Sequence, residues 1–293
     1  MASGWRTLGT LVVCAVASLA TGCASETGDA EDGAEATDDA LTIDPAYAAG
    51  KRHSDLTPAV VANLTEILAR GSGDVHRLMK IGDSITYSSS FLDCLNDRAL
   101  TGDMAKYEPT RAHFDNGSWE RRSKSTTIGW HTWQPLGGMT GVPGPDVPAA
   151  VELREMNAKF AVVMLGTNDD YLPTYKKQLG RLVDWLTARG VVPVLSTIPP
   201  SLHASADARI PGMNEVVRGI ASTRKVPLMD FHLALEDLPR HGISSDGTHP
   251  NAAPGGACDF SRAGLAYGYN ARNKLAIEAI DRVKRVLLDG ETP

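Results

Sequence analysis

The chain has 293 residues, of which 42% are hydrophobic, and a formal net charge of −6 at neutral pH. This length and apolar content are enough for one large domain, or two small ones, with a buried core. The negative charge is concentrated in residues 24–45, which carry eight acidic and no basic side chains. Without that segment and Arg6, 27 acidic and 28 basic residues remain. The rest of the chain is nearly neutral, so we expect no nucleic-acid partner.

The first 45 residues have the pattern of an export signal followed by a tether. Arg6 precedes an apolar stretch over 8–20, and Thr21-Gly22-Cys23 follows it, which is typical of a signal peptide too short to span a membrane comfortably. We expect residues 1–22 to be removed and Cys23, in a segment that resembles a bacterial lipobox, to carry a lipid anchor. Ordinary cleavage with secretion and an uncleaved anchor are the alternatives. All three place the protein outside the cytoplasm.

The remaining chain divides into a flexible segment and one folded domain. Residues 23–45 have few large apolar side chains, so they are predicted to be an acidic tether. The folded domain is predicted to span residues 46–293. No internal repeat divides it.

Helix-like and strand-like segments alternate from about residue 58 onward. Apolar residues at helical spacing predict helices over 59–69, 91–100, 151–157, 175–188, 213–223 and 265–288. Short apolar runs predict strands over 77–81, within 107–122, and over 160–165, 191–197 and 226–231. Such alternation is typical of a parallel sheet covered by helices on both sides. The predicted fold class is a three-layer α/β/α domain with a flavodoxin-like parallel sheet of about five strands.

Reactive side chains stand where these elements end. Ser84 follows the strand at 77–81, Asn168 follows the strand at 160–165, and Asp246 and His249 lie three residues apart near the end of the chain. In doubly wound sheets, sites form at the carboxyl ends of the strands. Each motif alone is also common in ordinary turns and helix caps. Together they supply the serine, imidazole, carboxylate and amide that split an acyl bond through a covalent serine intermediate.

With these motifs, the chain from residue 77 to its end resembles the SGNH hydrolases, also called the GDSL esterase/lipase family. The resemblance implies that Ser84 is the nucleophile, His249 its general base and Asp246 the acid that orients the imidazole. It also implies that the Ser84 backbone N–H and the Asn168 side chain donate hydrogen bonds to the oxyanion.

The family's remaining signature residue is a glycine whose N–H completes the oxyanion hole, and two glycines compete for this role. Gly129 is favoured because it follows the second predicted strand and precedes a helix-like stretch; Gly117 is the alternative. Trp130 and Tyr171 lie beside presumed site residues and could stack on a sugar. Partly buried packing aromatics are the other interpretation of this pair.

The predicted function is that of a serine esterase acting on small-molecule or polysaccharide esters, and a carbohydrate O-acetylesterase is the preferred interpretation. A lipase or lysophospholipase, an acyltransferase, and a non-catalytic carbohydrate-binding protein on the same fold are the alternatives. No phosphate-binding loop or His-Glu-x-x-His pair occurs in the sequence, so neither a cofactor nor a metal is expected. The remaining histidines, among them His203, are interpreted as surface or packing residues.

Cys94 and Cys258 are predicted to form a disulfide. Cys94 follows Ser84 by ten residues and Cys258 follows His249 by nine, so both leave the same place if the site assembles. An oxidising compartment would then favour the bond. Two free buried thiols are the alternative.

Overall fold

A parallel sheet forms the centre of the molecule. The structure is a computed structural model that describes residues 43–96 and 98–292. In these residues the sheet has four strands in the order β1-β2-β3-β4, namely Asp74–Gly82 (β1), Ala158–Met164 (β2), Val192–Ser196 (β3) and Leu228–Met229 (β4). β2 and β3 are buried along their whole length, as expected of strands with helices on both faces.

The helices that cover the sheet form two packed groups. In the described residues they are Pro58–Leu68 (α1), Ser84–Tyr87 (α2), Glu108–His113 (α3), Pro148–Met156 (α4), Leu172–Thr187 (α5), Ala204–Asp207 (α6), Ile210–Thr223 (α7), Phe231–Leu235 (α8) and Gly268–Leu287 (α9). α1, α3 and α8 pack against α9, while α5 packs against α7. The predicted α/β class, with a parallel sheet flanked by helices, is confirmed.

The sheet has four strands where about five were expected, and the edge of β1 explains the difference. Gly82 pairs with Met164 of β2 on one side and makes an isolated parallel bridge to Thr126 on the other. The Gly82 N–H donates to the Ser125 carbonyl at 3.1 Å. This single bridge occupies the position of the second strand in a flavodoxin-like order, in which that strand lies beside the first.

The prediction of a strand within residues 107–122 is wrong. Its first half is helix α3, which Pro109 helps to start because proline suits the first turn of a helix. Its second half contacts β1 through side chains: the Ser118 hydroxyl accepts the Leu78 N–H at 3.1 Å, and Trp119 is fully buried. Side-chain hydrogen bonding and packing therefore replace a backbone ladder here.

The prediction of a helix over residues 91–100 is also wrong. Helix α2 has only four residues, and the chain then forms a short 3₁₀ turn over Asp93–Leu95. Leu92 has a positive φ of 66°, and its N–H donates to the Asn273 side chain at 3.0 Å. A left-handed residue cannot continue an α-helix, so the contact with α9 overrides the local pattern.

Local chemistry explains why the other helices begin and end where they do. The Thr57 hydroxyl accepts the Val60 N–H and caps α1, as expected of threonine before a proline. Beyond the end of α5, Gly190 has a φ of 75°, and a Cβ there would lie 1.7 Å from the Arg70 carbonyl oxygen. Only glycine fits this close approach of two backbone segments.

The segment before α1 protects the open edge of β4. Ser54 donates its N–H to the Leu228 carbonyl at 2.9 Å, and Asp230 donates its N–H to the Arg52 carbonyl at 2.8 Å. Asp44, within the predicted tether, already caps a 3₁₀ turn whose last residue, Tyr47, is buried. The expected signal peptide over 1–22, the lipidation site Cys23 and tether residues 23–42 lie outside the described residues. Among those described, no helix has the length and apolarity needed to cross a membrane.

Candidate active site

Ser84 stands at the first position of α2, immediately after β1. A Cβ on Gly82 would lie 2.3 Å from the Thr86 hydroxyl and 2.6 Å from the Met164 carbonyl, so only glycine allows this sharp turn. Asp83 is fully buried and caps α2, accepting the Ile85 N–H at 3.0 Å. The turn leaves Ser84 half-buried at the carboxyl edge of the sheet.

Ser84, His249 and Asp246 form a continuous hydrogen-bonded chain. The Ser84 Oγ lies 2.9 Å from His249 Nε2, and His249 Nδ1 lies 2.8 Å from Asp246 Oδ2. The carboxylate accepts only, so Nδ1 carries a hydrogen and Nε2 of the neutral ring is free to accept the serine proton. The structure thus brings together the three residues that the sequence pointed to, although they are up to 165 positions apart.

The second carboxylate oxygen of Asp246 is held by its own turn. Oδ1 accepts hydrogen bonds from the Ser244 hydroxyl at 2.7 Å and from the backbone N–H groups of Thr248 and His249, both at 3.0 Å. Partial burial acts to raise the pKa of Asp246, but these hydrogen bonds prevail and hold it well below its usual range. The group is therefore a carboxylate at neutral pH.

Asn168 is oriented by the segment that contains Gly129. Its Nδ2 donates to the Trp130 carbonyl at 3.0 Å. A carbonyl only accepts, so this contact fixes which end of the amide is nitrogen. The second Nδ2 hydrogen remains for another acceptor. The same strand end holds the segment through Asp169, whose carboxylate accepts the Thr132 N–H at 3.1 Å and the Thr132 hydroxyl at 2.9 Å.

The two competing glycines lie on different segments. Gly129 immediately precedes Trp130, whose carbonyl contacts Asn168; it has a φ of 74° and open space where a Cβ would stand. Gly117 precedes Ser118, which bonds Leu78, four residues before the end of β1. The contacts therefore associate Gly129 with the carboxyl edge and Gly117 with the middle of the strand.

The two aromatic candidates differ in exposure. Trp130 is half-buried and packs against the hydrophobic core. Tyr171 is 63% exposed and precedes α5. The packing interpretation describes Trp130 better, while Tyr171 leaves most of its surface free to touch a ligand.

A buried arginine contacts the two residues that follow Ser84. Arg272 is fully buried, and its guanidinium donates to the Ile85 carbonyl at 2.8 Å and to the Thr86 hydroxyl at 2.9 Å. It stacks on Phe91, with 3.7 Å to the ring centroid. Burial lowers the pKa of Arg272 to about 10, against the opposing charge of Asp83. Burial likewise raises the pKa of Asp83, partly offset by the Ile85 N–H and Arg272.

The predicted disulfide is confirmed. Cys94 and Cys258 are bonded, with their Cα atoms 5.8 Å apart. Asn273 holds the same two segments, since its Nδ2 donates to the Ser90 carbonyl at 2.8 Å and to the Ala257 carbonyl at 3.0 Å. The segment after Ser84 and the segment after His249 are therefore joined both covalently and through α9.

A small cavity lies beside the candidate site. Its volume is about 50 Å³, and its walls include Thr167 and Thr248, the neighbours of Asn168 and His249. The other walls combine the charged residues Asp169 and Arg209 with apolar residues, namely Ile198, Pro199, Pro200, Ile210 and Met213. A single water needs about 10–15 Å³ of such volume, so the space suits a group of a few heavy atoms.

Four residues that hold this region together were not predicted from the sequence. The sequence pattern could have indicated Arg272, because it is a charged residue among the buried positions of α9. It could also have indicated Asp169, since this residue directly follows Asn168. It could not have indicated Thr132 and His203, because their partners, Asp169 and Asp246, are 37 and 43 positions away. Residues 43–96 and 98–292 contain no cluster of three or more side chains placed to bind a metal.

A model of the GDSL-like Lipase/Acylhydrolase family matches residues 81–253, which is more than half of the chain. The chain belongs to this family, and it is a carboxylic ester hydrolase. The matched region includes Ser84, Asn168, Asp246 and His249. No curated protein is significantly similar to the chain.

The chain is similar to several solved structures at low sequence identity and with TM-scores below 0.5. A GDSL-like lipase from Bacteroides thetaiotaomicron is 14% identical, with 76% of this chain and 97% of that chain covered and a TM-score of 0.43. Axe2, an acetylxylan esterase from Geobacillus stearothermophilus, is 18% identical, with 72% and 95% covered and a TM-score of 0.43. A peptidoglycan O-acetylesterase is 12% identical, with 55% and 46% covered and a TM-score of 0.41.

Proposed function

We propose that the protein hydrolyses esters through a covalent acyl-enzyme on Ser84. The observation that carries the proposal is the unbroken chain from Ser84 Oγ to His249 Nε2 (2.9 Å) and from His249 Nδ1 to Asp246 Oδ2 (2.8 Å). These distances allow a proton to pass from the hydroxyl to the imidazole as the new bond forms.

Each step of the reaction has a residue in reach. Ser84 Oγ attacks the ester carbonyl while His249 takes its proton, and Asp246 stabilises the resulting imidazolium. The negative oxygen is held by the backbone N–H groups of Ser84 and Gly129 and by the free Nδ2 hydrogen of Asn168. His249 then protonates the departing alcohol. Water, deprotonated by His249, releases the acyl group as a carboxylic acid and restores Ser84.

We propose short-chain esters of carbohydrates, O-acetyl groups above all, as the substrate class. A cavity of about 50 Å³ lies beside the site, next to Thr167 and Thr248, and a space of this size would accept an acetyl group. Tyr171 is mostly exposed and offers a face on which a sugar ring could stack. A lipase or lysophospholipase, and an acyltransferase that passes the acyl group to a sugar hydroxyl, would use the same reactive residues.

We also propose that the protein acts outside the cytoplasm. The disulfide between Cys94 and Cys258 supports this location, since such bonds persist in oxidising compartments. The pattern before Cys23 supports cleavage and lipidation of that residue, which would hold the enzyme at a membrane surface. Mass analysis of the mature N-terminus tests this: an unmodified N-terminus beyond residue 23 would contradict the anchor.

Covalent labelling by a fluorophosphonate tests the reaction. The probe should label Ser84, and Ser84→Ala should lose both the label and the turnover of p-nitrophenyl acetate. Ser89→Ala, which removes an exposed hydroxyl from the turn that follows α2, is the matched control and should retain both. Absence of labelling in the folded protein would instead indicate a non-catalytic carbohydrate-binding protein.

A series of ester substrates tests the acyl group. Turnover should be highest for acetyl esters and fall steeply at octanoyl and longer chains. A preference for long chains would contradict the carbohydrate assignment and favour the lipase. Product analysis with an added sugar acceptor separates hydrolysis from acyl transfer.

A further inference from the structure

The chain after β3 holds the turn that carries Asp246 and His249. We call residues 201–203 the clamp segment. The Leu202 N–H donates to the Gly247 carbonyl at 2.8 Å, and the Ser201 hydroxyl donates to the same oxygen at 3.1 Å. His203 Nε2 lies 2.8 Å from the Asp246 carbonyl oxygen. Because a carbonyl only accepts, Nε2 of His203 carries the hydrogen.

The His203 ring also lies directly against Gly247. A Cβ at position 247 would come within 2.7 Å of His203 Nε2 and 3.0 Å of its Cε1. Gly247 has a φ of 77°, so glycine serves both the turn and the close approach of the ring. The contact is therefore more than a single hydrogen bond between exposed groups.

The turn is held at its base and at its tip. A backbone bridge between Ile243 and Pro250 closes the base, hydrogen bonds within residues 244–249 fix the Asp246 carboxylate relative to the His249 ring, and the clamp segment contacts the tip at Gly247. Both side chains are substantially open to solvent, at 52% and 39% exposed. A small displacement of the turn would lengthen the 2.9 Å contact between His249 and Ser84, and catalytic geometry tolerates only about 0.5 Å of such error.

The clamp segment has fixed points of its own. It follows β3 directly after the buried Pro199 and Pro200. The Ser201 N–H donates to the Asp207 side chain at 3.1 Å, and the His203 N–H donates to the Ser201 hydroxyl at 3.1 Å. A segment tied to the sheet and to α6 can hold an exposed turn in place.

We propose that His203 is a positioning residue that acts through the Asp246 and Gly247 backbone to keep His249 aligned with Ser84. The proposal rests on the proposed acyl-enzyme function of Ser84. It predicts that loss of the His203 side chain slows the chemical step without weakening substrate binding.

The first test compares variants of His203. His203→Ala should lower kcat for p-nitrophenyl acetate, and the rate of fluorophosphonate labelling, about fivefold, the usual effect of one hydrogen bond. KM and the thermal midpoint Tm should stay unchanged. His203→Gln, whose amide can donate from the same place, should restore most of kcat. His76→Ala is the matched control: His76 is an exposed histidine bonded to Asp74 at the opposite end of β1.

The second test isolates the contact with Gly247. Gly247→Ala should lower kcat, and adding His203→Ala should then cost less than it does alone, because the clash with the ring is removed. Equal effects of His203→Ala in both backgrounds would contradict the contact.

The outcomes separate this proposal from the one on which it rests. Unchanged kcat in His203→Ala overturns the clamp while Ser84 labelling stands. A rise in KM with constant kcat would make His203 a substrate contact and also overturn it. If wild-type Ser84 is neither labelled nor needed for turnover, both proposals fail.

Discussion

Replacing Arg272 with methionine should destabilise the protein in a pH-dependent way. Arg272 is fully buried beside the nucleophile turn, where it bonds Ile85 and Thr86 and faces the charge of Asp83. Methionine fills a similar volume and can still pack on Phe91. The substitution therefore removes the charge and the hydrogen bonds with little change in packing.

The magnitude follows from the charge that remains. Keeping Arg272 charged is already costly, since burial lowers its pKa to about 10. Removing it takes one stabilising charge away from the fully buried Asp83 and leaves the Ile85 carbonyl and the Thr86 hydroxyl without their arginine donor. Losing the partner of a buried polar group typically costs about 1–3 kcal/mol. Substituting both residues leaves no unpaired charge. The double variant Asp83→Asn, Arg272→Met should therefore recover most of the loss.

The pH dependence has a definite sign. Burial, its largest cause, raises the pKa of Asp83 in the folded protein, and loss of Arg272 raises it further. A raised carboxyl pKa means that the folded state binds a proton that the unfolded state does not. The destabilisation is then complete above the folded pKa and shrinks as the pH falls toward the unfolded value near 4. Arg272→Met should lie closer to wild type at pH 4.5 than at pH 7.5.

The free energy of unfolding can be measured by urea titration of the wild type, the single variant and the double variant at both pH values. Equal losses at both pH values, together with no recovery in the double variant, would refute the account of a charge pair. Arg272 would then contribute through its hydrogen bonds and ring contact alone.

Three further predictions concern Asn168, the disulfide and a partly buried carboxylate. Asn168→Ala should lower kcat on the order of a hundredfold or more at similar KM; a loss below tenfold in steady-state assays would remove it from the oxyanion hole. Replacing Cys94 and Cys258 with alanine removes a disulfide between residues 164 positions apart. The free energy of unfolding, measured in urea, should fall by up to about 5 kcal/mol, and an unchanged value would contradict a stabilising disulfide. The pKa of Glu278 is lowered to about 2, since hydrogen bonds from His53 and Lys274 outweigh its burial. A carboxyl group with a depressed pKa stabilises the folded state at neutral pH, and this stabilisation is lost on acidification. Glu278→Gln should therefore reduce the fall in stability between pH 7 and pH 3 by about 2 kcal/mol. An unaltered dependence of stability on pH would contradict this role of Glu278.

Much of the site could be read from sequence because its chemistry is local. Ser84 and Asn168 each follow an apolar run, and Asp246 and His249 share one turn. Residue type, spacing and element ends are all properties of neighbouring positions, so a pattern of a few residues carries the information.

The supporting contacts could not be read in this way. His203 bonds the Asp246 backbone 43 positions away, and Arg272 bonds Ile85 at a separation of 187. The sequence favoured Gly129 over Gly117 but did not decide between them, and both have the positive φ that suits a turn. Only the contact of Asn168 with Trp130 distinguishes them.

By itself, the sequence determined the alternation of strand and helix, the parallel sheet and the reactive residues at its edge, because periodicity and turn chemistry act between near neighbours. The tertiary structure alone decided the course of the chain over residues 91–100 and 107–122. In the first, Asn273 and the disulfide hold a left-handed turn where the pattern favoured helix. In the second, Ser118 and Trp119 pack against the sheet in place of a strand. The physical reason is the same in both: contacts with distant residues outweigh local preferences that amount to less than about 1 kcal/mol per residue.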